Sequence, residues 1–373
     1  MTRFWSIFIL FFILGFIIFS NGLNGDFVHD DLLVLSHSYF SQADKIFNFF
    51  GQPYFEDFYQ AGLYRPLTQI SFGFNFLIGS SELNFHLTNV LLHIINSFLI
   101  FLFLRKLTNK ERFSLTAALL FLVLPIHVEA VTSIVGRAEL LSFFFGILTL
   151  LLWFDSRYFF SALTLFLALL SKESALAVPA VVFLLGLHQR KARPWLRWHL
   201  GAVAIYFMLR WAVLGQYAFQ SKTEFIFNPL AYSSFFERIF TALEVLALYV
   251  LKVFVPYRLS ADYSYDQIRI ISNLFFSPLS LIGLAVLGLM FWAVFQVFKK
   301  KDIPVFIWAS VLFFLPYFIV SNLVFPTGTI MAERLMYFPS LGAVMILGLA
   351  FEHLLKSSRK FGLSVFLILL VIY

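Results

Sequence analysis

Cysteine is absent from the whole chain. That excludes disulfide bonds, thiolate metal sites and a cysteine nucleophile together. Charge is scarce too: Asp, Glu, Lys and Arg make up 13% of the 373 residues, about half the usual quarter. The sequence carries no Walker loop, GxGxxG, HExxH or Asn-x-Ser/Thr sequon. No internal repeat and no low-complexity linker divides it, so one membrane domain over 1–373 is expected.

What is abundant is apolar. Hydrophobic residues are 61% of the chain, against roughly 45–50% in a soluble domain. Phenylalanine alone occurs 52 times. A soluble enzyme, a coiled coil and a disordered chain are excluded on this ground. The apolar runs are long and continuous, which excludes an outer-membrane barrel with its short alternating segments. The net charge of +7 is no nucleic-acid signal, because Lys and Arg collect on the cytoplasmic loops of membrane proteins.

The first apolar run, 4–20, follows Arg3 and lacks a small-residue cleavage site. It reads as an uncleaved helix with its N-terminus inside. Residues 21–84 then form a long external loop. Further spans are expected at 85–104, 113–125, 138–154, 158–171 and 174–187. The basic loops 105–112, 188–199, 299–301 and 356–360 mark the cytoplasm. Between 199 and 299 stand three apolar helices, 199–214, 238–256 and 278–298, and an odd number cannot join two cytoplasmic loops. The segment 238–256, which carries Glu244 and Lys252, is assigned to the interface or to a re-entrant path. The expected fold is all-α and polytopic, with about 11 spans. The final run, 361–373, is short for a span, so the natural chain is expected to continue beyond it.

The scarce polar residues gather on the external side, and ionisable groups at membrane depth are usually functional. Adjacent Asp30 and Asp31 suit a divalent cation, a general base on an alcohol, or a helix N-cap. His86, Asn89, His93 and Asn96 share one helix face, and interhelical hydrogen bonding accounts for Asn89 and Asn96. His127, Glu129 and Arg137 follow a span, and Lys172 and Glu173 fall between two apolar runs with almost no loop. Glu333 and Arg334 lie in a later external loop, and Arg65 in the first. Arg65, Arg137, Lys172 and Arg334 are external cations that run against the cytoplasmic bias. Arg and Lys both hold phosphate. Together with nearby carboxylates, they point to chemistry on a lipid phosphate.

The stretches GDFVHDD, YRPLTQISFGFN, FHLTNVLLHIIN, LPIHVEAVTSIVGRAELLSFFF, LSKESALAVPAVV, RLSADYSYDQI and FPTGTIMAERLMYFPSLG resemble the membrane part of the TMTC-type protein O-mannosyltransferases of the GT-C superfamily. They run in family order from Asp26 to Gly342. The resemblance implies an inverting transferase that uses a polyprenyl-phosphate sugar on the non-cytoplasmic side. It places the family's acidic motif at Asp30 and Asp31. On that basis Asp31, or Asp30, takes the acceptor proton. Lys172, Arg137, Arg334 and Arg65 bind the donor phosphate, and His86, His127, Glu129, Glu173 and Glu333 support them. The family's tetratricopeptide repeats are absent here, which leaves the acceptor open between a protein hydroxyl and a glycan. No particular cofactor is implied, and a divalent cation on the Asp30–Asp31 pair stays an option. The competing reading is a transporter or flippase of lipid-linked sugars, for which neither inverted repeats nor broken midplane helices are evident. A bacterial inner membrane is the expected location, ahead of the endoplasmic reticulum.

Overall fold

The computed structural model describes residues 2–357, except 29, 57, 190–193, 220–221 and 265. The expected run 361–373 and most of the basic loop 356–360 lie outside the described residues, as do four positions of the 188–199 loop. Among the described residues there is no β-strand. The helices are α1 (Thr2–Phe19), α2 (Asp30–Leu35), α3 (Pro66–Ile78), α4 (Glu82–Thr108), α5 (Glu111–Val123), α6 (Val128–Thr132) and α7 (Arg137–Phe154). They continue as α8 (Tyr158–Ser171), α9 (Ala177–His188), α10 (Pro194–Leu214), α11 (Phe235–Phe254), α12 (Pro278–Lys299), α13 (Val305–Val320) and α14 (Ser340–Ser357).

The chain is an all-α polytopic membrane protein. Among the described residues six helices are long and apolar enough to cross a bilayer, or seven if α5 and α6, bent by 53° at Leu124, count as one. Helices α8 and α13, and the segment Glu173–His188 that contains α9, are apolar but shorter. The expected number of about 11 is reached only by adding these three and the undescribed run 361–373.

The ends of the bundle differ in chemistry. At one end Arg3 pairs with Glu111 at 2.9 Å, and Lys106 pairs with Asp155. These contacts gather the start of α1 and the α7–α8 turn around the basic loop 105–112 at the α4–α5 turn. The opposite end holds the 21–84 segment and the polar stretches around 130, 172 and 333. Between the ends, packing substitutes for the hydrophobic effect, since lipid is as apolar as the helices. Hydrogen bonds then fix the register. His93 on α4 bonds the Tyr337 hydroxyl at 2.8 Å and the Leu122 carbonyl at 3.0 Å. Asn96 donates to the Leu140 carbonyl and the Tyr337 hydroxyl, and Asn89 donates to the Ser133 carbonyl. These polar residues on one face of α4 thus join helices, as the sequence suggested for Asn89 and Asn96.

Helix α11 bears on the parity problem. The segment before it is held by residues of the end opposite the basic loops. The Lys222 amide donates to the Gln60 carbonyl, Asn228 bonds Asn322 and the Thr327 carbonyl, and the Ile330 amide donates to the Phe227 carbonyl. The segment after it is held at the same end, where the Ser260 amide donates to Glu333. Within α11, the Tyr249 hydroxyl bonds the Ala332 backbone. Both flanks therefore lie at one end. Ser234 and Glu237 form a reciprocal capping box that satisfies two amides at the start of α11. The helix crosses the first turns of α12 closely: a Cβ on Gly283 would sit 1.9 Å from the Leu243 carbonyl oxygen.

Candidate active site

Two chain breaks create the site. Pro66 opens α3 at its first turn, and a residue before proline is driven out of helical geometry. Arg65 accordingly has φ −138° and turns its side chain inward. Between α8 and α9 the chain extends for one residue, Lys172, at φ −159° and ψ 143°. A short 3-10 turn, Glu173–Leu176, follows. The extended residue aims its neighbours into the bundle instead of continuing the helix.

The ions meet in pairs. Arg65 binds Glu173 bidentately, Nε to Oε2 at 3.0 Å and Nη2 to Oε1 at 2.5 Å. Lys172 Nζ binds Glu139, and both side chains are almost fully buried. Arg334 binds Glu129 through its backbone amide at 2.8 Å and through Nη1 at 2.6 Å. The three pairs form one electrostatic cluster: Arg65 and Glu139 act on Arg334, and Lys172 acts on both Glu129 and Glu173. Arg65 Nη1 and Arg334 Nε and Nη2 make no hydrogen bond among the described residues, so donors remain for a ligand.

The two aspartates point to different surroundings. Asp31 is fully buried. Its carboxylate accepts from the Val135 amide at 2.9 Å, the Val28 amide at 3.3 Å and, more weakly, the Ser133 hydroxyl at 3.4 Å. Asp30 keeps about half of its side chain exposed, at 51%, and lies 3.9 Å from Arg334 Nη2. Of the two candidate bases, Asp31 has its oxygens committed to the fold and Asp30 keeps an accessible carboxylate. Among the described residues no three His, Asp or Glu side chains converge on a metal position.

Arg137 is held differently from the other candidate cations. It is wholly buried and donates to Asn89, Asn75 and the carbonyls of Ser71 and Phe85. Its guanidinium lies 4.8 Å from the Phe72 ring centre and 5.5 Å from that of Phe85. Four of the five donors of an Arg are spent inside the protein, so it clamps α3, α4 and α7 instead of facing a phosphate. The turn before it needs glycine: a Cβ on Gly136 would fall 2.2 Å from the Ala130 carbonyl oxygen.

The supporting residues act from within. His86 bonds the Gly25 carbonyl at 3.0 Å. His127 uses both ring nitrogens, on the Phe121 carbonyl and the Ser340 hydroxyl. Glu333 accepts from the Ser260 amide at 2.7 Å and from the Tyr263 hydroxyl, which ties the RLSADYSYDQI stretch to the residue beside Arg334.

Sequence reasoning missed three residues. Glu139 stands two places from Arg137 and could have been read as a counter-ion for Lys172. Arg210 bonds the carbonyls of Gly62 and Ala218 and acts on Glu173, and an Arg inside an apolar run was a readable signal. Tyr54 had no signal in a chain that is 20% aromatic. Its ring centre lies 5.1 Å from the Arg65 guanidinium. Its hydroxyl is buried with no partner among the described residues, which costs about 1–3 kcal/mol. Burial pushes the phenol above its ordinary range, so it stays protonated.

An all-α membrane protein with paired ions and the exposed Asp30 beside them at a single end is the class these observations define. The chain is similar to the protein O-mannosyl-transferase F38B6.6 of Caenorhabditis elegans, 29% identical over 94% of this chain and 52% of the relative. It is also similar to two human protein O-mannosyl-transferases. TMTC3 is 30% identical over 79% of the chain and 36% of the relative, and TMTC4 is 29% identical over 92% and 55%. The chain is thus a relative of the TMTC-type protein O-mannosyl-transferases. It spans about half the length, or less, of these curated relatives. They come from animals, which lends no support to the expected bacterial inner membrane. No family model matches the chain, and no solved structure matches it.

Proposed function

We propose that this chain is the membrane part of a GT-C type glycosyltransferase. It takes a sugar from a polyprenyl-phosphate carrier and places it on a hydroxyl of a protein acceptor at the non-cytoplasmic face. The names of the relatives favour mannose as the sugar and a protein as the acceptor. The single observation that carries the proposal is the juxtaposition of exposed Asp30 with Arg334, 3.9 Å apart, inside a field that also contains Arg65 and Lys172.

The reaction is one displacement. The acceptor oxygen attacks the anomeric carbon while the bond from that carbon to the phosphate oxygen breaks, which inverts the centre. The acceptor proton passes to the Asp30 carboxylate. Charge builds on the departing lipid phosphate, where the free donors of Arg65 and Arg334 meet it, and cations fixed in advance lower such a barrier. Lys172 contributes its charge from a buried position through Glu139. The carboxylates Glu129, Glu139 and Glu173 hold the cations in place, so little reorganisation is needed when charge develops.

Purified protein in lipid nanodiscs, offered a panel of polyprenyl-phosphate sugars and a serine/threonine peptide, should release lipid phosphate and yield glycosylated peptide. Binding of the lipid with outward movement and no bond cleavage would favour the transporter reading instead.

A further inference from the structure

We infer that Tyr54 is a donor-binding residue whose hydroxyl donates a hydrogen bond to a non-bridging phosphate oxygen of the lipid-linked sugar, beside Arg65. The inference rests on the donor reading above. Tyr54 is only 3% exposed, and its hydroxyl has no partner among the described residues. The Arg65 guanidinium lies 5.1 Å from its ring centre, and the charges of Asp30, Asp31 and Arg334 act on the hydroxyl as well.

The position of Tyr54 is fixed independently of any ligand. Its amide donates to the Leu63 carbonyl at 2.9 Å, and its carbonyl accepts from Gln69 Nε2 at 3.1 Å. The same Gln69 nitrogen bonds the Pro53 carbonyl. The ring face supports the Arg65 guanidinium, a task that phenylalanine would perform equally well. Only the hydroxyl lacks a use within the protein. Of the neighbouring acceptors, Glu173 is taken by Arg65, Glu129 by Arg334, Glu139 by Lys172 and Asp31 by backbone amides, and Asp30 makes no hydrogen bond to the Tyr54 hydroxyl. A neutral phenol near two guanidinium groups is a donor awaiting an oxygen, and an anionic oxygen is what both guanidinium groups attract.

The test uses the full chain in lipid nanodiscs and Tyr54→Phe, with two probes: a polyprenyl phosphate without sugar, and the same lipid carrying mannose. Removing an unpaired buried hydroxyl should leave the ligand-free Tm unchanged or higher. Binding of both lipids should weaken by about tenfold, the worth of one hydrogen bond to a charged group. Wild-type affinity for both lipids in Tyr54→Phe would overturn the inference and leave the donor reading intact. Weakening confined to the mannosylated lipid would also overturn it, because the hydroxyl would then read the sugar. A lowered ligand-free Tm with binding intact would assign Tyr54 a structural role and overturn it as well. Failure of the wild type to bind either lipid would remove the donor reading and this assignment together.

Discussion

Adjacent residues on a helix point about 100° apart, and Asp30 and Asp31 at the start of α2 meet different surroundings. The buried member holds the amides of Val28 and Val135, and the exposed one faces Arg334. Asp30→Asn should lower turnover about 10²–10⁴-fold, the usual worth of a general base, with Tm preserved. Asp31→Asn should instead cost about 1–3 kcal/mol of stability through its buried hydrogen bonds, read as a lower Tm with residual turnover. Equal loss of turnover at matched Tm would sink this division. The Lys172–Glu139 pair carries a different lesson. Lys172→Met leaves a buried carboxylate without its cation, and breaking a buried pair costs about 3–5 kcal/mol. That variant should be unstable whatever Lys172 does for the donor. The double variant Lys172→Met with Glu139→Gln should recover much of the stability, and its donor affinity then reports the role of the charge. If the double variant is as unstable as the single one, the pair is not the source of the loss.

At the level of elements, legibility followed continuity of the apolar run. Helix α8 occupies 158–171 as expected, because a short turn on one side and Lys172 on the other bound its apolar residues. Helix α4 extends past the expected 85–104 to Glu82–Thr108, since its ends are polar helical turns that hydropathy does not register. Helix α3 was not legible, because its thirteen residues mix Thr, Gln and Asn with apolar ones and bury the polar group. The site was legible as a list of ions but not as pairs. Spacing along the chain could not tell that Arg65 would find Glu173 or that Arg137 would be enclosed. The odd helix between 199 and 299 was legible through charge alone, and the bonds at its two flanks support placing it at one end. Single cysteines at Phe235 and Tyr257, exposed at 62% and 65%, flank α11. Both should label from the same side of a sealed membrane. Labelling from opposite sides would show that α11 crosses, and the span count would change by one.

For the whole molecule, the arrangement of charge makes a claim about orientation. Basic loops gather at the end where Arg3 meets Glu111 and Lys106 meets Asp155, and the ionic cluster occupies the other end. The Lys/Arg bias places the first end in the cytoplasm, so the proposed transfer takes place outside it. A bilayer makes this choice consequential: the lipid phosphate must lie in the leaflet that the cluster faces, and the acceptor must reach the same side. The absence of cysteine permits a direct check without background labelling. Cysteines replacing Asn109 and Lys300, within the basic loops 105–112 and 299–301, should react with a membrane-impermeant maleimide only when the cytoplasmic face is accessible. Cysteines replacing Phe47 and Phe325, exposed at 65% and 52%, should react only from the opposite face. The reverse pattern would put Asp30 and its cations in the cytoplasm, where the inferred external donor could not reach them. Agreement at Phe47 with disagreement at Phe325 would separate the first external loop from the segment that carries Arg334. It would break the 3.9 Å pairing on which the proposed chemistry depends.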